Sequence, residues 1–186
     1  MLLQTNRLLI REITIHDTGH IHELHSLPET DEFNTLGIPD SFQTTENIIN
    51  EWLTSQTVTP QTSYVFYIEL IETKQFIGLI ALKMGKPKFK NAEVWYKIHV
   101  NHWQKGYTTE ALQRLISWGF NELNMHRIEA GCAVDNIASS RVMEKVGMMP
   151  EGRKRKNLPL KGTWSDSFIY AILDDDFYNS EHKPTT

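Results

Sequence analysis

A mixed α/β fold is predicted, built on one dominant, mostly antiparallel twisted sheet flanked by helices. Three observations predict it. Along the chain the apolar spacing switches between the helical period and the two-residue period of a strand. Residues 62–100 hold three strand-like stretches joined by short turns, which makes an antiparallel meander. Residues 92–134 then read strand, long helix, strand, the unit that joins parallel neighbours through a right-handed crossover.

The elements follow in order. Residues 6–13, with Leu8, Leu9, Ile10 and Ile13, read as a short strand. "IHDTGHIHELHSL" reads as a helix with Asp17 near its start, where a negative charge suits the helix dipole. "EFNTLGIPDSF" is a loop broken by Gly37 and Pro39. "TTENIINEWLTSQ" opens on a Thr cap and puts Ile48, Ile49, Trp52 and Leu53 at helical spacing. "TSYVFYIELIET", "FIGLIALKMG" and "AEVWYKIHV" are the meander. In the last of these Val94, Tyr96, Ile98 and Val100 face one way, and Glu93, Trp95, Lys97 and His99 the other. A helix over 108–124 carries Ala111, Leu112, Leu115, Ile116, Phe120 and Leu123 on one face. "RIEAGCAV" is a strand, and a helix from Asn136 stops at Gly147. "MMPEGRKRKN" and "TWSDSFIYAIL" are a closing pair of strands. Residues 1–176 form one expected domain, and 177–186 a polar, disordered tail.

Composition narrows the function. The chain has 186 residues and a net charge of −4, which argues against a direct nucleic-acid binder and mildly favours a cationic partner. Its single cysteine, Cys132, lies in the apolar "IEAGCAV", so it is expected in the core and the chain in a reducing, cytoplasmic compartment. The start "MLLQTNRLLIRE" is too short and too charged for a signal peptide, and no apolar run suits a membrane span. A homodimer is the commonest assembly open to such a chain.

One stretch asks for chemistry. "HWQKGYTTEALQRL" puts Lys105, Gly106 and the hydroxyls of Tyr107, Thr108 and Thr109 in front of the best amphipathic helix. A helix start needs only one cap, and Thr108 or Thr109 would serve. The first four N–H groups of a helix lack internal partners and sit at the positive end of its dipole. A glycine lets a loop approach an anion closely, and a lysine adds charge. The stretch therefore reads either as plain capping or as a cradle for a pyrophosphate. It is neither a P-loop nor a dinucleotide fingerprint, because G-x-x-x-x-G-K-[ST] and G-x-G-x-x-G are both absent.

"NHWQKGYTTEAL" resembles the acetyl-CoA pyrophosphate loop of the GNAT N-acetyltransferases, in the RimJ/RimL-like branch with its W-G-K-G-Y-A-T-E-A. Five further stretches resemble that branch in the right order: "TNRLLIRE", "FIGLIAL", "AEVWYKI", "DNIASSRVMEKVGM" and "GTWSDSFIYAIL". The likeness spans residues 5–175. It implies the GNAT fold, with a splayed parallel strand pair at the cofactor site, and transfer of an acetyl group from acetyl-CoA to a primary amine. The acceptor would be a protein N-terminus or a small-molecule amine, and no metal is implied.

By the same resemblance, backbone N–H groups of Gln104, Lys105, Gly106, Tyr107, Thr108 and Thr109 hold the pyrophosphate. The pantetheine lies along Ile98, His99 and Val100, with an N–H near Val100 for the thioester oxygen. Asn136 matches a cofactor-contacting asparagine and also suits an ordinary N-cap. Ser139 stands one turn on, as a candidate acid for the departing thiolate; Met143 occupies the position of the tyrosine that many relatives use. Arg141 and Lys145 can reach the 3′-phosphate or simply be solvated. Glu93 is the candidate general base, with Asp166 as a second group to orient the acceptor and Tyr96 either catalytic or core. The sequence departs from the pattern at Gln104, Thr108, Trp95 and Lys97, and the last two alter the wall near the acceptor. Those departures keep open a catalytically weak acyl-CoA-binding sensor of the same fold, and beyond it another nucleotide-binding α/β protein.

Other features carry blander readings. His16, His20, His22 and His25 crowd one helix without a cysteine and read as a solvated face rather than a metal site. "RKRK" at 153–156 reads as a solvated edge strand. Trp52 and Phe42 either line an acceptor pocket or pack the core.

Overall fold

The three strands of the meander are the middle of an eight-stranded sheet. In the computed structural model, which describes residues 1–181, the strands are β1 (Leu2–Gln4), β2 (Leu8–Glu12), β3 (Ser63–Leu70), β4 (Phe76–Met84), β5 (Asn91–Ile98), β6 (Arg127–Ala133), β7 (Met149–Leu160) and β8 (Thr163–Leu173). Their order across the sheet is β1-β2-β3-β4-β5-β6-β8-β7. Every neighbouring pair is antiparallel except β5 and β6, which run parallel as their helical connection requires.

The helices are α1 (Thr18–Ser26), α2 (Pro28–Asp31), α3 (Phe42–Thr57), α4 (Tyr107–Asn121), α5 (Ile137–Lys145) and α6 (Asp174–Glu181). Strand alternation divides the apolar residues between two faces. On one face Leu112, Leu115 and Trp118 of α4 pack against Phe66, Ile80 and Ile128. On the other, Ile21 and Leu24 of α1 and Ile49 of α3 pack against Val65, Leu79 and Ala81. A Cβ on Gly119 would lie 2.8 Å from Ile128 Cδ1, so α4 crosses β6 closely enough that a side chain there would displace the end of Ile128. Among the described residues no helix is long and apolar enough to cross a membrane.

Several boundaries are corrected. Strand β1 is absent from the expected order because only Leu3 of its three residues faces the core, too short a stretch to show a period. Helix α3 is capped by Ser41, whose hydroxyl accepts from Thr44 N at 3.1 Å, rather than by a threonine. Strand β5 ends at Ile98, not Val100, because Val100–His102 form a single 3-10 turn. Helix α4 ends at Asn121, and Asn124 takes a left-handed φ of 51°. Residues 177–181 of the expected tail belong to α6, and Phe177 is buried with its ring tilted against Phe120 at 5.2 Å. Residues 182–186 of the expected tail lie outside the described residues.

Candidate active site

The parallel pair at the centre of the sheet is incomplete. β5 and β6 are in register only over Asn91–Glu93 and Arg127–Glu129, and beyond Glu93 the two strands part. Helix α4 joins them on one face, so its N-terminus and that of α5 flank the parting. Backbone groups of β5 past Glu93 on the β6 side thus face a gap rather than a ladder, which an extended ligand can enter as a strand would.

In front of α4 the loop is built to present N–H groups. Gly106 is the N-cap, with a left-handed φ of 79° and no side-chain cap; Thr108 and Thr109, the expected caps, lie in the first turn instead. Gln104 also takes a left-handed φ, of 61°. Among the described residues, none of the N–H groups of residues 104–109 donates to a backbone carbonyl; the first that does is Glu110 N, to Gly106 O at 3.1 Å. Six successive N–H groups at a helix N-terminus, beside an exposed Lys105, suit a diphosphate. Gln104 occupies a backbone conformation that favours glycine, which is why a glycine there is the simpler solution.

A clamp from the far end of the chain sets this loop. Arg7 Nε donates to Glu110 Oε2 at 2.6 Å, Arg7 Nη1 donates to the carbonyl of Lys105 at 3.1 Å, and the guanidinium lies 4.6 Å over the Tyr107 ring. Thr5 Oγ1 donates to Glu110 Oε1 at 2.6 Å, and Arg7 N to the same oxygen at 3.0 Å. Burial alone would raise the Glu110 carboxyl, but the bonds from Thr5 and Arg7 outweigh it and hold it below the usual range. Thr5, Arg7 and Glu110 were not among the expected site residues. Their signal was in the sequence, as the "TNR" of "TNRLLIRE" and the Glu of "TTEAL", but nothing local said that the two stretches meet.

Across the gap, Asn136 caps α5, its Oδ1 accepting from Ser139 N at 3.1 Å, which leaves the amide NH₂ for a ligand. The hydroxyls of Ser139 and Tyr96 share a hydrogen bond of 2.6 Å. Burial pushes the Tyr96 phenol up to about 12, so it stays protonated. Arg141 is exposed on α5. Ile98 is buried, its carbonyl accepting from the Trp103 indole at 2.7 Å, so that carbonyl is already engaged. His99 Nδ1 accepts from Asn101 N at 3.2 Å, and its Nε2 stands 3.8 Å from Glu23. Val100 begins the 3-10 turn.

Glu93 stands where the strands part, next to Glu129. Glu129 is held by Arg127 at 2.6 Å, whereas Glu93 is exposed and makes no hydrogen bond or ion pair among the described residues. Glu93 shares the α1 side of the sheet with Trp95, while Tyr96 faces α4 and α5. A carboxylate on one face and a hydroxyl pair on the other can handle protons at opposite sides of one reacting centre.

The remaining candidates have structural partners. Asp166 accepts from Arg153 Nε at 2.7 Å and from Lys156 N at 2.8 Å, pinning the irregular edge strand β7, which carries the basic run at the border of the sheet. His20 Nδ1 meets the Tyr67 hydroxyl at 2.8 Å, and His22 Nδ1 meets Thr45 Oγ1 at 2.7 Å. Trp52 packs on Trp95 with ring centres 5.5 Å apart, and Phe42 is exposed against the edge of His22. Cys132 is buried, 3.3 Å from Ser140 Oγ.

Residues 7–149 match a family model described as an acetyltransferase (GNAT) domain. The uncharacterized N-acetyltransferase YoaA of Bacillus subtilis (strain 168) is 31% identical over 172 residues, covering 92% of this chain and 96% of that protein. The fold superposes on RimL, a ribosomal L7/L12 alpha-N-protein acetyltransferase in complex with coenzyme A, with a TM-score of 0.85 at 18% identity over 95% of this chain and 99% of the other. It also superposes on spermidine N-acetyltransferase from Vibrio cholerae in complex with CoA and spermine, with a TM-score of 0.83 at 23% identity over 94% and 100%.

Proposed function

This chain belongs to the GNAT acetyltransferase family and is an acetyl-CoA-dependent N-acetyltransferase; we propose that it passes the acetyl group directly to a primary amine, with both substrates bound at once. The observation that carries this is the parting of β5 from β6 at Glu93, with six N–H groups without backbone partners at its mouth. The fit to coenzyme A rests on that row and on Gly106, whose left-handed φ of 79° is one that residues with a side chain rarely adopt.

In this proposal the N–H groups of residues 104–109 bind the diphosphate, with Lys105 adding charge and Arg7 holding the loop in shape. The free edge of β5 pairs with the pantetheine arm, the Asn136 amide contacts the same arm, and an N–H near Val100 meets the thioester oxygen. Arg141 reaches towards the 3′-phosphate. Acetyl-CoA supplies an activated acyl carbon. The acceptor must shed a proton first, since an α-amine has a pKa of about 8 and a lysine about 10.4. Glu93 takes that proton, directly or through a water, as the nitrogen attacks. Ser139 gives its proton to the departing sulfur while Tyr96, which its raised pKa keeps protonated, donates a hydrogen bond to the serine oxygen, and the serine regains a proton from water as coenzyme A leaves. The C–N bond forms, the C–S bond breaks, and the two protons move on opposite faces of the sheet.

Thiol release from acetyl-CoA with a panel of primary amines tests the reaction. Acceptor-dependent release is expected. Tight coenzyme A binding with no release for any amine would instead make the chain an acyl-CoA sensor.

A further inference from the structure

Beneath the turn between α1 and α2, three polar side chains lack the partners their burial demands. Lys97 is 5% exposed and His25 2%. Their only mutual bond is Lys97 Nζ to His25 Nδ1, at 3.2 Å. Lys97 makes no ion pair among the described residues, so a buried ammonium stands with a neutral ring as its sole hydrogen-bond partner. Burial, then the nearby Lys97 and His22, push His25 down to about 3, so its ring carries one proton. Because Nδ1 accepts from Lys97, that proton is on Nε2, and Nε2 has no acceptor. Asp31 Oδ1, at the end of α2, is likewise buried without a donor, although its charge is felt at Lys97.

The position of this cluster bears on the reaction. Lys97 follows Glu93 and Trp95 at strand spacing, so it shares the α1 face, and it lies beyond the last residue of β5 paired to β6. Two buried donors that no carboxylate hydrogen-bonds, near a carboxylate oxygen that no side chain hydrogen-bonds, are complementary to a ligand carrying both charges. We propose that Lys97 and His25 bind a carboxylate on the acceptor while Asp31 faces its ammonium, so that the preferred acceptor is an amine with a carboxylate a few bonds away. This rests on the acetyl-transfer reaction proposed above and names its substrate class.

The test uses the full chain and matched acceptors: an α-amino acid, its carboxamide, the amine lacking the carboxyl group, and spermidine. A peptide with Asp as its first residue distinguishes a protein N-terminus from a free amino acid as the source of the carboxylate. The expected result is a kcat/KM for the acid about tenfold or more above that for its amide, the range of a charged hydrogen bond. Lys97→Met should reduce this preference towards one, His25→Gln should reduce it in part, and coenzyme A affinity by calorimetry should hold in both. A merely structural Lys97 predicts an equal loss for acid and amide. Equal use of acid and amide by the parent chain, preference for spermidine, or a preference that survives Lys97→Met would overturn the inference while leaving acetyl transfer standing. No thiol release with any amine, while coenzyme A still binds, would overturn both.

Discussion

The mouth of the cofactor gap and the turn over Lys97 flank the same strand, yet they are finished to different degrees. At the mouth, Arg7, Thr5, Glu110 and the Lys105 carbonyl are joined to one another, and only the N–H groups meant for a ligand are left over. Under the turn, the side chains themselves are unfinished: His25 Nε2 and Asp31 Oδ1 have no partner. Each such buried group costs about 1–3 kcal/mol. In the proposed reaction the diphosphate is the same in every turnover, so a rigid cradle of main-chain groups would serve it. Acceptor choice falls to side chains, and there the fold leaves bonds for the ligand to complete.

The largest effect is expected where the two regions meet. Glu93→Gln should lower kcat by about 10²-fold or more at neutral pH, with acetyl-CoA affinity unchanged by calorimetry; normal turnover would remove Glu93 as the base. Next is the cradle. Gly106→Val should weaken coenzyme A binding by about 1–3 kcal/mol through strain at its left-handed φ, and an unchanged Kd would break the assignment of this loop to the diphosphate.

Stability should then separate the two regions by sign. Arg7→Ala should lower the unfolding free energy measured by urea denaturation, by about 1 kcal/mol, because it strips Glu110 and the loop of a partner. Lys97→Met should raise it, by about 1 kcal/mol or more, because it removes a buried ammonium that no carboxylate hydrogen-bonds. Equal losses in both would erase the contrast. The pH profile sharpens it further. Glu110 is depressed in the folded state, so its contribution is full above the usual glutamate range and is lost as pH falls through its lowered value. Burial lowers Lys97 from 10.5 to about 8, against the pull of Asp31. Between those values the unfolded chain binds the extra proton, so stability should rise with pH there, and Lys97→Met should flatten that rise. The smallest effect is Gln104→Gly, which relieves a left-handed side chain and should change stability by no more than about 1 kcal/mol in the stabilising direction.

Features with a local cause were legible in the sequence. Strand alternation told Val94 from Trp95, the helical stripe located α4, Asn136 and Gly147 bounded α5, and the basic run on β7 is a solvated edge. The parting of β5 and β6 was expected from the family likeness and is present beyond Glu93. Short or isolated signals were not legible: β1 has one inward residue, and Phe177, which docks on Phe120, is one of two aromatics in a polar run.

The sequence by itself determined the main strands and longer helices between Leu8 and Leu173, the sheet with its one parallel pair, and the loop that presents main-chain N–H groups, because backbone preferences and apolar periods act over a few residues. Only the tertiary structure decided which side chains meet. Arg7 reaches Glu110 across 103 positions, Lys97 reaches His25 across 72, and Tyr96 reaches Ser139 across 43. Whether a lysine on a strand is solvated or sealed under a helix depends on what the rest of the chain packs above it, and no local pattern carries that information.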